Sequence, residues 1–590
     1  HGPGPHPALA GLLITRSPSI WIGDRAALAI RAGLTPDRDL GVAPEPFLHD
    51  QEHARPHRYR VTTLSGLRVD AAAGSAEVVA DFTFPSPGRL VFCAPGAPLS
   101  HLAHERSADG GVLLSLASTL PSPHEADPLR GYYSVAVSGA DFEVSEHAGQ
   151  VIIEVSPTAG AVRVEVGGSL LSVAQASQAR LRTAMRSVDR IAADARDAWD
   201  ELLRIVDAPE ADQDDRALIA SDLYRLFLYP TEHNEDTIHG PRYASPTERV
   251  ADDGPLATGR RIRSGRLLTD NGFWDTYRTA WPAFHLLAPE RAGRLLDGML
   301  EHVRADGWSP RWTAGTPLDA MVGTSLDVIA ADAVASGVAG VDIETAYSAA
   351  LRNASAASVD PRFGRRGMPR ALALGYVPAS HGESVSWTIE GAINDAGAAV
   401  LARELSRRAE GARAARLRAD ARYLAHRASA YRSLWDEQSR FFRPRDADGS
   451  WADEPFDPRI WGGGHTETNA WGSRFPAPHD GRGLAALFGG PRSFGDALEE
   501  YFSEAETADA RFAGTYGQVI HEMPEARDIR RGMWALSNQP AHHVPWMFAF
   551  SDRPWRTSEI LHDAVHRLFR GARIGQGFPG DEDNGEMSAW

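Results

Sequence analysis

Val162, Val164 and Val166 alternate with Arg163 and Glu165, the two-residue period of a strand with one buried face. They close the stretch "DFEVSEHAGQVIIEVSPTAGAVRVEVGG", which predicts three strands separated by turn residues. Upstream, "AEVVADFTF" and "GRLVFCAP" are short apolar runs broken by "PSPG". Strands at this spacing predict an N-terminal β-sandwich over residues 1–174. The pattern changes near residue 175. Leu181, Met185, Val188, Ile191, Ala195, Trp199, Leu202 and Val206 recur every three or four residues. That spacing predicts one face of a single helix of about seven turns. It reads as a helical linker over 175–209, ending before Pro209.

From about residue 210 the periodicity is mostly helical. "DDRALIASDLYRLFLYP", "AGRLLDGMLEHVRADG", "VSWTIEGAINDAGAAVLARELSRRA" and "ARLRADARYLAHRASAYRSLW" all carry it. Long loops rich in Trp, Gly, Pro and His join them. Helix pairs with aromatic loops over 210–590 fit an α/α toroid. A helical repeat array is the competing architecture, although no fixed-period self-similarity is visible. Loops at one end of such a scaffold would carry the site.

Composition narrows the chemistry. A chain of 590 residues calls for two or more domains. Its formal net charge of −17 disfavours nucleic acid and anionic membranes as partners, because phosphate binding needs a basic face. All 61 basic residues are Arg. This excludes a lysine Schiff base, a pyridoxal-phosphate lysine and a phosphate-binding GK[ST] loop. Cys93 is the one cysteine; it lies in an apolar run and reads as core, so neither an intrachain disulfide nor a cysteine zinc site is available. No run of about 18 apolar residues predicts a membrane span. No signal peptide is visible, and the start at His1 is compatible with processing, tag removal or truncation.

Four loop clusters could carry chemistry. Residues 271–287, "NGFWDTYRTAWPAFHLL", hold Trp274, Asp275, Tyr277, Arg278 and Trp281. Sugars need this combination: an aromatic face for their C–H surface, and carboxylate or guanidinium for the hydroxyls. A helix start with buried aromatics explains the same residues. Residues 457–480 place Glu467 between two threonines, after three glycines and before Asn469 and Trp471. Aromatic surroundings would raise its pKa, as suits a general acid; a surface glutamate is the plainer alternative. Residues 534–550 hold Asn538, Gln539, His542 and His543. Adjacent histidines point in different directions on a helix, so amide oxygens near carboxylates suit calcium better than zinc. Finally, "PGDEDNGEMSAW" packs Asp581, Glu582, Asp583 and Glu586 into six positions. On an extended loop Asp581 and Asp583 would face one side and could share a water or a cation. An Asp-rich helix N-cap before "EMSAW" is the other reading.

Taken together and in order, these clusters resemble glycoside hydrolase family 92, the calcium-dependent exo-acting α-mannosidases. "FWDTYRTAWP", "GWSPRW", "MVGTSLDVIAADA", "LGYVPASHGESVSWTIEGAINDA", "WGGGHTETNAW", "NQPAHHVPWMF" and "PGDEDNGEMSAW" carry the resemblance over about 265–590. "HGPGPHPALAGLLITRSP" and "RYRVTTLSGLRVDAAAGSAEVVADFTFP" match more loosely. The resemblance implies an N-terminal β-sandwich, a helical linker and an (α/α)6 barrel acting by inversion on a mannose-containing glycan, with α-1,2 links as the expected target. It implies Glu467 as general acid, Asp583 as base with Asp581 assisting, and Trp274, Asp275, Arg278, His542 and His543 as substrate-binding residues. Calcium is the implied cofactor, with Asn538 and Gln539 as candidate ligands, and the implied location is secreted or cell-surface. Three positions depart. The family's asparagine-glutamate-proline reads Asn538-Gln539-Pro540 here, a nearby glutamine is Met533, and Trp387 stands where arginine is common. Mannosyl-phosphodiester cleavage and a catalytically weakened mannose-binding protein are the alternatives; Glu467 argues against the first. The family also extends beyond both ends of this sequence, which reads as a fragment.

Overall fold

The computed structural model describes residues 7–15, 28–39, 41–95, 98–107, 110–119, 129–156, 160–251, 254, 256–571 and 576–590. The chain divides into two compact units. One comprises His1–Arg204, Thr231–Thr269 and Ala314–Thr316; the other comprises Ile205–Pro230, Asp270–Thr313 and Pro317–Trp590.

The first unit is built on antiparallel strands. Among the described residues, one sheet runs in the spatial order Ala8–Leu9, Glu45–Arg55, Arg58–Thr63, Arg68–Ala73, Glu77–Thr83, Val162–Ser169, Arg130–Ser138, Val112–Thr119, Leu99–Arg106. A second runs Phe142–His147, Gln150–Val155, Gly88–Cys93, Leu28–Gly33, Leu12–Ile14. Val162, Val164 and Val166 sit opposite Phe82, Ala80 and Val78 and are buried, as their alternation requires. Leu90, Phe92 and Ile153 of the smaller sheet share one apolar core with Phe82, Val135 and Val164 of the larger. The result is a two-sheet sandwich. Cys93 is buried and free, opposite Ala29. Of the looser N-terminal resemblance, residues 1–6 and 16–18 lie outside the described residues.

The single helix expected over 175–209 is two helices, Val173–Leu181 and Val188–Leu203. Met185 adopts a left-handed backbone with φ +61°, and the Ser187 hydroxyl caps the second helix by accepting from Arg190 N–H at 3.1 Å. A helix-compatible apolar period therefore runs across a real break. Neither piece is a free linker. Ala176 packs with Ala117 and Tyr132, while Val188, Ile191 and Ala192 pack with Ala72 and Val79. The short strands between Thr231 and Thr269 also belong to this unit: Glu235 accepts from the Ser169 hydroxyl at 2.6 Å and the Leu170 N–H at 2.5 Å. Residue 210 is thus not a clean boundary.

The second unit is mainly helical. The expected helices appear as Gln213–Leu226, Pro289–Asp306, Ser384–Arg408 and Gly411–Arg427. Pro289 opens its helix and Gly307, at φ +75°, closes it. Leu296, Met299 and Leu300 on that helix are fully buried, each contributing roughly 1.5–3 kcal/mol by burial. Ser384–Arg408 packs against Leu326–Ala335, Ile343–Ser355 and Gly411–Arg427. It is buried along most of its length, and several of its polar side chains find specific partners. Asp395 accepts from Arg365 at 2.7 Å, and Asn394 Oδ1 accepts from Thr324 N–H at 2.7 Å. No helix among the described residues is long and apolar enough to cross a membrane.

Candidate active site

The loop at 457–480 is pinned before it presents Glu467. Gly462 N–H donates to Thr468 O at 2.9 Å, closing the turn. Val385 N–H donates to Gly464 O at 2.9 Å, so the start of the Ser384–Arg408 helix holds the loop from one side. Thr466 N–H donates to the Ser386 hydroxyl at 2.9 Å, and Glu467 N–H to the Tyr516 hydroxyl at 2.7 Å. Glu467 itself has φ +50°, a sparsely populated backbone state for a residue with a side chain. Its carboxyl pKa is pushed up to about 8, first by burial and then by the negative charge of Glu522; the Asn538 amide opposes the shift. Glu467 is therefore a carboxylic acid at neutral pH.

The last loop is not extended. Asp583 and Asn584 have φ +44° and +60°, so the two-residue period of an extended segment does not apply to them. Gly580, at φ +80°, lies so close to Ser537 that a Cβ would meet Ser537 O at 2.1 Å. Neither aspartate caps the following helix: Glu586–Ala589 starts at Gly585 without a side-chain cap, and Gly585 N–H donates to Glu582 Oε2 at 2.9 Å. Asp583 is raised by burial and then by Glu586, against the hydrogen bond from Gln539. Asp581 contributes to that field and also to those around Glu522 and Glu525.

Consecutive amides tie these loops. Asn538 Nδ2–H₂ donates to Glu467 O at 3.1 Å and Oε2 at 3.2 Å. Gln539 Nε2–H₂ donates to Asp583 Oδ2 at 2.7 Å. The fourth segment joins through Gly272, whose N–H donates to Asn584 Oδ1 at 3.0 Å. Asp275 is buried, accepts from Trp312 Nε1–H at 2.8 Å, and is raised by burial and by Asp583. Arg278 donates to Glu390 Oε1 at 2.6 Å, and the Tyr277 hydroxyl donates to Oε2 at 3.1 Å. The Arg278 guanidinium also lies 5.7 Å from the Trp274 ring centroid. Trp274 packs in a cluster with Val322, Val377 and Trp387.

This constellation joins a protonated acid, a buried base candidate, an arginine and aromatic walls, and a family match over most of the chain decides what it belongs to. Residues 175–590 match the glycosyl hydrolase family 92 catalytic domain. The chain belongs to glycosyl hydrolase family 92. The family 92 inverting mannosidase BT2199 from Bacteroides thetaiotaomicron VPI-5482 superposes with a TM-score of 0.84 at 28% identity, covering 99% of this chain and 78% of that one. The family 92 α-mannosidase BT3965 from Bacteroides thetaiotaomicron, in complex with mannoimidazole, gives 0.78 at 21%, covering 99% and 75%. The family hydrolase ccman5 gives 0.71 at 19%, covering 95% and 77%. No curated protein matches the chain.

Within the family 92 domain the histidine pair turns inward. His542 Nε2–H donates to Leu536 O at 2.8 Å and His543 Nε2–H to Phe475 O at 2.7 Å. Burial pushes both imidazoles down to about 3, so each is neutral. His542 Nδ1 faces Glu586 Oε1. Burial holds Glu586 well above the carboxylate range. Glu390, Trp312, Tyr516 and Glu522 are site residues that the sequence reading did not name, although Trp312 and Glu390 lie in quoted motifs. Glu586 was named in the acidic stretch, without a role.

The donor set fits calcium poorly. Asn538 Oδ1 already accepts from Gln539 N–H at 2.9 Å, and both side-chain amides aim hydrogens at carboxyl oxygens. A hard cation needs converging oxygens instead.

Proposed function

We propose that this family 92 protein is an exo-acting, inverting α-mannosidase that removes terminal α-1,2-linked mannose from glycans, its helical unit forming an (α/α)6 barrel. The observation that carries the reading is Glu467, a neutral acid below about pH 8 that is bridged through Asn538 and Gln539 to Asp583. In inversion one carboxylic acid protonates the leaving oxygen while a carboxylate activates water on the opposite face of the ring. Glu467 supplies the proton; Asp583 takes one from water, with Asp581 adding negative charge. Trp274 and Arg278 offer an aromatic edge and hydrogen-bond donors to the terminal sugar, and Asp275 an acceptor. His542 and His543 hold the surrounding backbone through their bonds to Leu536 O and Phe475 O. Calcium assistance, implied by the resemblance, does not suit the two amides, which donate to the carboxyl groups.

A retained acid favours a sugar leaving group over a phosphodiester, whose departing phosphate needs less protonation. The test is release of free mannose from a panel of α-linked mannosides. Glu467→Gln and Asp583→Asn should each lower kcat about 10²- to 10⁴-fold. The wild-type rate should fall as pH rises through about 8, where Glu467 loses its proton. It should fall again on acidification above the ordinary aspartate range, where Asp583 gains one. Wild-type activity in either variant would remove the assigned roles.

A further inference from the structure

We infer that Asn538 and Gln539 do the work of a cation at this site: Gln539 is a positioning residue for Asp583, and turnover proceeds without a resident divalent metal. The inference rests on Asp583 being the base proposed above.

A calcium site is assembled from oxygens carrying several negative charges. Gln539 is neutral and 2% exposed, with its Nε2–H₂ on Asp583 Oδ2. Asn538 is also buried, and all its groups are committed: Oδ1 to Gln539 N–H, Nδ2 to the backbone and side chain of Glu467. Turning Asn538 to present its oxygen would take its N–H from the Glu467 backbone carbonyl, and turning Gln539 would take the donor from Asp583 Oδ2. The neighbouring Met533 is buried, and its thioether is no ligand for a hard cation. The two amides instead place N–H donors where a cation would otherwise hold the carboxyl groups. Gln539 thereby fixes which oxygen of Asp583 is engaged and leaves Oδ1 for water.

The test titrates calcium into the chelator-treated full chain by calorimetry and measures mannoside turnover with and without excess chelator. The expected result is no saturable calcium binding and an unchanged rate in chelator. Gln539→Leu should lower kcat on the order of 10- to 100-fold while KM moves less than about threefold, a split that general loosening would not give. Stoichiometric calcium binding, a rate abolished by chelator, or an unchanged kcat in Gln539→Leu would overturn the inference. Should the leucine variant fail to fold, the wild-type titration decides. Should no mannoside be cleaved, the proposed function fails, and the calcium titration still tests the metal claim.

Discussion

In the β-rich unit Arg58 meets Asp70 at 2.5 Å with side chains 18% and 31% exposed; in the helical unit Arg278 meets Glu390 at 2.6 Å with both only 6% exposed. The first pair lies on a sheet whose apolar residues supply the core, so its charges remain partly hydrated. The second lies among aromatic rings and further carboxyls. Water screens the first and not the second. Similar contact distances therefore carry very different consequences. On the sheet, ionic contacts decorate a structure that burial has already stabilised. In the site, burial sets the protonation states, and each charge depends on a particular partner.

Breaking each pair measures that difference. Glu390→Gln leaves the Arg278 guanidinium buried without its carboxylate, and chemical denaturation should register a loss of about 3–5 kcal/mol in the helical unit. Mannosidase activity should fall with it, because Arg278 would no longer be held beside Trp274. Asp70→Asn should cost only about 0–1 kcal/mol and leave kcat unchanged. Equal costs would mean that burial does not distinguish the two environments.

What the sequence made legible follows the same division. Val162, Val164 and Val166 declare a half-buried strand because their period is local, and their partners Phe82, Ala80 and Val78 belong to a run with the same property. Helix Pro289–Asp306 is marked by an opening proline, an apolar stripe and a closing glycine. The stretch from 175 to 209 misleads because the apolar spacing continues through Met185, whose left-handed backbone breaks the helix; the Ser187 cap was the available signal. In the site, residue types and their order along the chain pointed to Glu467 and Asp583. Their connections were not readable. Asn538 reaches back 71 positions to Glu467, Gln539 reaches 44 forward to Asp583, and Gly272 spans 312 to Asn584. No local period encodes such pairings. Glu390 was hidden for the same reason: nothing local on its helix marks it, and its partners Tyr277 and Arg278 lie 113 and 112 positions away.

The central claim is that burial keeps Glu467 protonated so that it can serve a leaving oxygen. The direct measurement compares wild type and Glu467→Gln on an α-linked mannobiose and on an activated aryl mannoside whose phenolate departs without help. The account predicts a loss of about 10²- to 10⁴-fold on the disaccharide and a much smaller one on the aryl substrate. Equal losses on both would contradict it.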